Sequence, residues 1–113
     1  MTIRKLEKPK WHPFFDRMTQ FLLGGKQAEI EVAALNLGDQ TEARWLPLIG
    51  IVYDPKDDVL EIALDGLDHM IAQPREIYID DADGELSRLE VVDAAGVTQL
   101  VRLRDPLLLP APA

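Results

Sequence analysis

The stretch from Thr41 to Leu64, TEARWLPLIGIVYDPKDDVLEIAL, decides how the rest of the chain is read. Its second half is two alternating runs around a turn. In VLEIAL, Leu60, Ile62 and Leu64 point one way and Glu61 the other, the period-2 pattern of a half-buried strand. DPKDD before it reads as a tight turn. Asp54 opens the turn, and Pro55 has the fixed φ that suits the second position of a type I turn. The first half, TEARWLPLIGIVY, is long for one strand, and its alternation breaks at Leu46-Pro47. Proline has no N–H for a ladder, so a bulge, bend or edge is expected there, and Gly50 marks a second bend. Two strands joined by a tight turn are antiparallel neighbours.

Upstream, the period is helical. In PKWHPFFDRMTQFLLGG, Trp11, Phe15, Met18 and Leu22 form one stripe, flanked by Phe14 and Phe21. Pro9 and Pro13 suit a first turn, whose N–H groups have no intrahelical partner. Gly24-Gly25 ends it. Such a stripe reads as the face that seals a sheet. AEIEVAALNL then alternates, with Ile30 and Val32 opposite Glu29 and Glu31, and Gly38-Asp39 turns the chain.

Downstream, REIYID, LSRLEVVD and VTQLVRLR are three further strands, separated by ADG and AAG turns. The expected architecture is α+β: one N-terminal helix packed on a strongly bent antiparallel sheet of six to seven strands, or a partly open small barrel. One domain over residues 1–105 is expected, followed by an extended Pro/Leu-rich tail over 106–113. A chain of 113 residues can bury an adequate core without staples.

LDGLDHMIAQP links the two halves. Leu67, Met70 and Ile71 are spaced as on one helical turn, with Asp65 or Asp68 as its cap. His69 then belongs to a structural turn. The chemical alternative is a dyad of His69 with Asp65 or Asp68, since a carboxylate can orient an imidazole. No nucleophile accompanies it: the one serine, Ser87, lies in a strand without an elbow motif, and Thr41 and Thr98 are equally unmarked. If a small-ligand pocket exists, the expected place is between helix and sheet, lined by Trp11, Phe15, Trp45 and Tyr53, with His69 at the rim and Asp65 and Asp68 as further candidate ligand-binding residues.

Other chemistries are disfavoured. There is no cysteine, which removes disulfides and thiolate chemistry. His12 and His69 are the only imidazoles and sit in unlike elements, so no metal site is expected. IDDADGELSRLE can be laid on a calcium-loop pattern, but Ile79 stands at its first ligand position, and the flanks alternate like strands. Asp54, Asp57 and Asp58 are explained by the proline turn. LLGGK lacks phosphate-loop spacing. No cofactor is expected.

The formal charge of −8 is uneven. Residues 1–26 carry six basic groups against two acidic, a balance of +4; residues 27–113 carry six against eighteen, a balance of −12. The acidic body disfavours DNA, and the basic segment is expected to lie against that body. No run approaches the ~20 apolar residues of a membrane span, and the first ten residues lack the apolar core of a secretory signal. A cytoplasmic protein is expected. Leu107, Leu108 and Leu109 are wasteful in water, and mark either a last strand on the chain's own edge or a contact with a second subunit.

WLPLIGIVYDPKDDVLEIALDGLDHMI, PREIYID and LEVVDAAG, with the helix at Trp11 to Asp16, resemble an uncharacterised bacterial family of short single-domain proteins, a domain of unknown function. The resemblance implies a bacterial protein and brings no site residue. The function expected is a non-enzymatic interaction or regulatory module working through a protein partner or a homodimer. The alternative is the small-ligand binder, or minor enzyme, with its pocket near His69.

Overall fold

A computed structural model describes residues 3–21, 25–34 and 38–106. It contains β1 (Arg4–Leu6), a short 3-10 turn (Lys8–Lys10) running into α1 (Trp11–Phe21), then β2 (Gln27–Ala34), β3 (Gly38–Asp54), β4 (Val59–Leu64), β5 (Leu67–Ala72), β6 (Pro74–Asp80), β7 (Arg88–Asp93) and β8 (Thr98–Arg104). The eight strands form one sheet in the order β1-β6-β7-β8-β2-β3-β4-β5, and every neighbouring pair is antiparallel. Among the described residues the sheet does not close, and β1 and β5 are its edges.

The α+β class holds, and the strand number is corrected to eight among the described residues. One added strand is β1, whose three residues are too few to carry a periodic signal. The other is β5, which replaces the helical turn expected at Leu67 to Ile71. Asp65-Gly66 forms the two-residue corner of a β4–β5 hairpin, with Leu64 opposite Leu67 and Gly66 at φ 81°, where a side chain is strained.

Alternation sorts the sheet into two faces. Ala28, Ile30, Ile51, Tyr53, Leu60, Ile62, Ile71, Ile77, Ile79, Leu89, Val91 and Val101 are buried on the inner face. α1 adds Trp11, Phe15 and Met18 to the same core. Burying each of these large side chains contributes roughly 1.5–3 kcal/mol. The bend is severe enough for His69 Nε2, on edge strand β5, to hydrogen-bond Gln99 Oε1 on β8, four strands away in the sheet order.

β3 supplies much of that bend. Between the pairs Ala28↔Leu46 and Ile30↔Ala43, Arg44 and Trp45 stand opposite the single residue Glu29. Glu42 and Ile49 are further extra residues, each between two paired neighbours. Each bulge adds local twist and kink. Trp45 carries a positive φ of 52°, costly for a bulky side chain. The bends thus flank Pro47, which itself pairs with Gln27.

β2 stops at Gln27 opposite Pro47, so the rest of β3 has no strand on that side. α1 takes the strand's place. The Thr19 hydroxyl donates to Ile51 O (2.8 Å) and accepts from Ile51 N–H (2.9 Å), and His12 Nδ1 donates to Tyr53 O (3.0 Å). Ile51 and Tyr53 are two apart, so their ladder groups point to the same side of β3. Thr19 and His12 are seven apart, so they lie on one stripe of the helix. Sequence reading placed the helix over a face; the structure has it also completing the edge of a shortened ladder.

The basic N-terminal segment meets acids of the body at two points. Arg4 Nη2 lies 2.9 Å from Asp81 Oδ2, and Lys26 Nζ 2.7 Å from Asp105 Oδ1. Among the described residues no helix is long and apolar enough to cross a membrane.

Candidate functional site

The two sheet edges differ. β1 has three residues, two of them cationic (Arg4 and Lys5), and such charges guard an edge against pairing with another chain. β5 has six residues and one charge, Asp68, with no proline and no bulge. Leu64 and Leu67 close a two-residue hairpin, so the N–H and C=O groups of Leu67, His69 and Ile71 face β4. Those of Asp68, Met70 and Ala72 face away from the sheet.

The outer surface beside this edge carries exposed apolar side chains around Glu61. Val52, Glu61 and Met70 lie in register across β3, β4 and β5. Met70 is 56% exposed, Val52 40% and Ile49 66%. An open ladder edge flanked by exposed apolar side chains is the chemistry of strand addition: main-chain groups give affinity and the flanking side chains give register.

The candidate residues named from sequence fall in different places. His69 is half-buried on the inner face of β5 opposite Ile62, its Nε2 hydrogen-bonded to the Gln99 side-chain amide. Asp65 and Asp68 are exposed, at the corner and on the outer face. Trp11 is buried, its Nε1–H donating to Leu6 O (2.7 Å) and its ring meeting Tyr53 edge-on at 5.1 Å. Trp45 lies at the β3 bulge with the Arg104 guanidinium 3.9 Å from its ring centroid, a cation–π contact. The structure therefore brings Trp11 and Tyr53 into contact, and places Trp45 on the opposite face of the sheet. Leu107, Leu108 and Leu109 lie outside the described residues.

A cleft of about 660 Å³ opens where α1 meets the β3–β4 turn, lined by Lys8, Pro9, His12, Pro13, Tyr53, Pro55 and Asp58. Tyr53 donates to Asp58 Oδ1 (2.7 Å), and burial, helped by that bond, pushes its hydroxyl up to about 12. His12 Nε2 faces Asp16 Oδ2 at 3.3 Å. His12 lines this cleft; its neighbours Pro9 and Pro13 point only to a helix start. No group of three or more metal-ligating side chains occurs among the described residues.

Fold and surfaces together define an α+β protein built on one open, strongly bent antiparallel sheet, with a helix finishing one ladder and, among the described residues, an unpaired strand at one edge. The chain belongs to a family of unknown function, DUF5335, which matches residues 2–112. It is 37% identical over 111 residues to an uncharacterized protein of the bacterium Aquifex aeolicus (strain VF5), covering 97% of this chain and 99% of that one. No solved structure matches it. The uncharacterised bacterial family expected from the sequence is thus the one found.

Proposed function

We propose that this chain is a non-enzymatic interaction module of a bacterial cell that works as a homodimer, joined β5 to β5 about a two-fold axis. The observation that supports the reading is the free ladder edge of Asp68, Met70 and Ala72, next to exposed Met70, Val52 and Ile49. An antiparallel pairing centred on Met70 sets it against Met70 of the partner subunit, and Asp68 against Ala72 of the partner subunit. The two Asp68 carboxylates then stand four residues apart along the strands, roughly 14 Å at 3.4 Å per residue. That exceeds the screening length of about 8 Å at physiological ionic strength, so the one charge on the edge does not oppose the pairing.

Light scattering on the full chain and on Met70→Lys tests this. The expected result is a dimer for the native sequence and a monomer for the variant, in which two ammonium groups would meet at the axis. A native chain that stays monomeric at high concentration, or a Met70→Lys chain that stays dimeric, would refute it.

A further inference from the structure

Six basic residues serve the acidic stretch 27–113: Arg44, Lys56, Arg75, Arg88, Arg102 and Arg104. Four of them gather on the outer face around β8. Asp80, Arg88, Arg102 and Glu29 form one register row across β6, β7, β8 and β2. Arg44 Nε lies 4.0 Å from Glu29, and Arg104 covers Trp45 while its Nε donates to Gln27 Oε1 at 3.1 Å. With Asp80, Glu29 and Glu31 as the only acids in these contacts, the cluster is net positive within a strongly negative segment.

Three of the four arginines are engaged. Arg102 Nη1 donates to Glu29 Oε1 (3.0 Å) and Glu31 Oε1 (2.8 Å). Arg88 has neither ion pair nor hydrogen bond among the described residues, and its Nε is buried without a partner. Asp80, its register neighbour, is itself buried, and its Oδ1 accepts from Ala82 N–H at 3.3 Å instead. Arg88 also stands directly opposite Arg102, and like charges so placed repel. A buried donor left without a partner is costly. An anion between the two guanidinium groups would remove both penalties.

A concavity of about 260 Å³ lies at this point, lined by Trp45, Asp80, Ser87, Arg88, Arg102 and Leu103. We propose that it binds a small molecule through an oxyanion, a phosphate or a carboxylate. Arg88 is the principal donor, Arg102 assists, and the Ser87 hydroxyl, which donates to Asp80 O at 3.4 Å, can turn to assist. The Trp45 ring forms the apolar wall, while the Leu103 side chain turns to the inner core. The volume lies below the roughly 300–1,000 Å³ of drug-sized pockets, which suits a small acid. The site faces outward from β7 and β8, away from the β5 edge, and does not depend on the dimer.

The test is amide and indole NMR on the full chain, titrated with inorganic phosphate and, separately, acetate, against chloride at matched ionic strength. Saturable shifts at Ser87, Arg88, Arg102 and the Trp45 indole with phosphate or acetate are expected, and whichever anion saturates at the lower concentration identifies the oxyanion class. Arg88→Gln should weaken binding about tenfold or more, since charge-assisted donors are the strong ones. Asp80→Asn should tighten it by removing the one acidic side chain from the wall, and this second variant serves if the first does not fold. Shifts that chloride reproduces, affinity unchanged in Arg88→Gln, or weaker binding in Asp80→Asn would overturn the proposal.

Discussion

Gly50→Ala is expected to destabilise this chain although it adds only one methyl. A Cβ at Gly50 would stand 2.7 Å from Thr19 Cγ2, and Thr19 cannot turn away freely because its hydroxyl holds both Ile51 N–H and Ile51 O. Two effects oppose. Gly→Ala at a conformation open to alanine stabilises by about 0.4–1 kcal/mol through the unfolded state. Overpacking costs typically 1–3 kcal/mol, and displacing Thr19 forfeits two hydrogen bonds of about 1 kcal/mol each. The clash wins, with a net loss of about 2–4.5 kcal/mol, or roughly 10–20 °C in Tm for a domain of this size. Thr19→Ser keeps the hydroxyl and deletes the methyl in the way. The double variant Gly50→Ala/Thr19→Ser should therefore recover about 1–2 kcal/mol relative to additivity, read by urea unfolding of all four chains in the cycle. A neutral Gly50→Ala, or strictly additive single effects, would show that α1 is not seated along β3.

Two further outcomes follow from local chemistry. The hydroxyl of Tyr53 is pushed up to about 12, first by burial and then by its bond to Asp58, so the folded state holds its proton more tightly than the unfolded chain at about 10. That contribution is complete below pH 10 and is lost as pH rises toward 12; Tyr53→Phe should flatten the fall of stability over that window, and an unchanged slope would contradict it. Asp93 Oδ1 accepts from Ala95 N–H (2.9 Å) and Val97 N–H (3.0 Å) and so shapes the β7–β8 corner. Asp93→Ala should cost about 1–2 kcal/mol in denaturant unfolding, and a loss near zero would mean that the corner holds without it.

Much of this architecture was legible. The stripe Trp11, Phe15, Met18 and the alternation of Leu60, Ile62, Leu64 announce the core, because burial imposes those periods on the sequence. β5 does not declare itself in the sequence, for a physical reason. Leu67, Met70 and Ile71 fit a helical turn as well as an edge strand, and six residues cannot separate the two periods. The deciding signal was the Asp65-Gly66 pair between two apolar runs. Trp45 at positive φ was hidden, since nothing local favours it there; the backbone around the β3 bulge imposes it. The bonds of Thr19 and His12 to Ile51 and Tyr53 join groups 32 and 41 residues apart, beyond any local pattern. Arg88 looked like any strand arginine until the register set it against Arg102 with Asp80 turned aside.

Amide hydrogen exchange along β5, followed as protein concentration is raised, most directly probes the paired edge. Asp68, Met70 and Ala72 should exchange quickly in dilute solution and gain protection together as concentration rises, while His69 and Ile71, bonded to β4, stay protected throughout. Rapid exchange at Met70 and Ala72 in concentrated solution would mean that no second strand adds to this sheet.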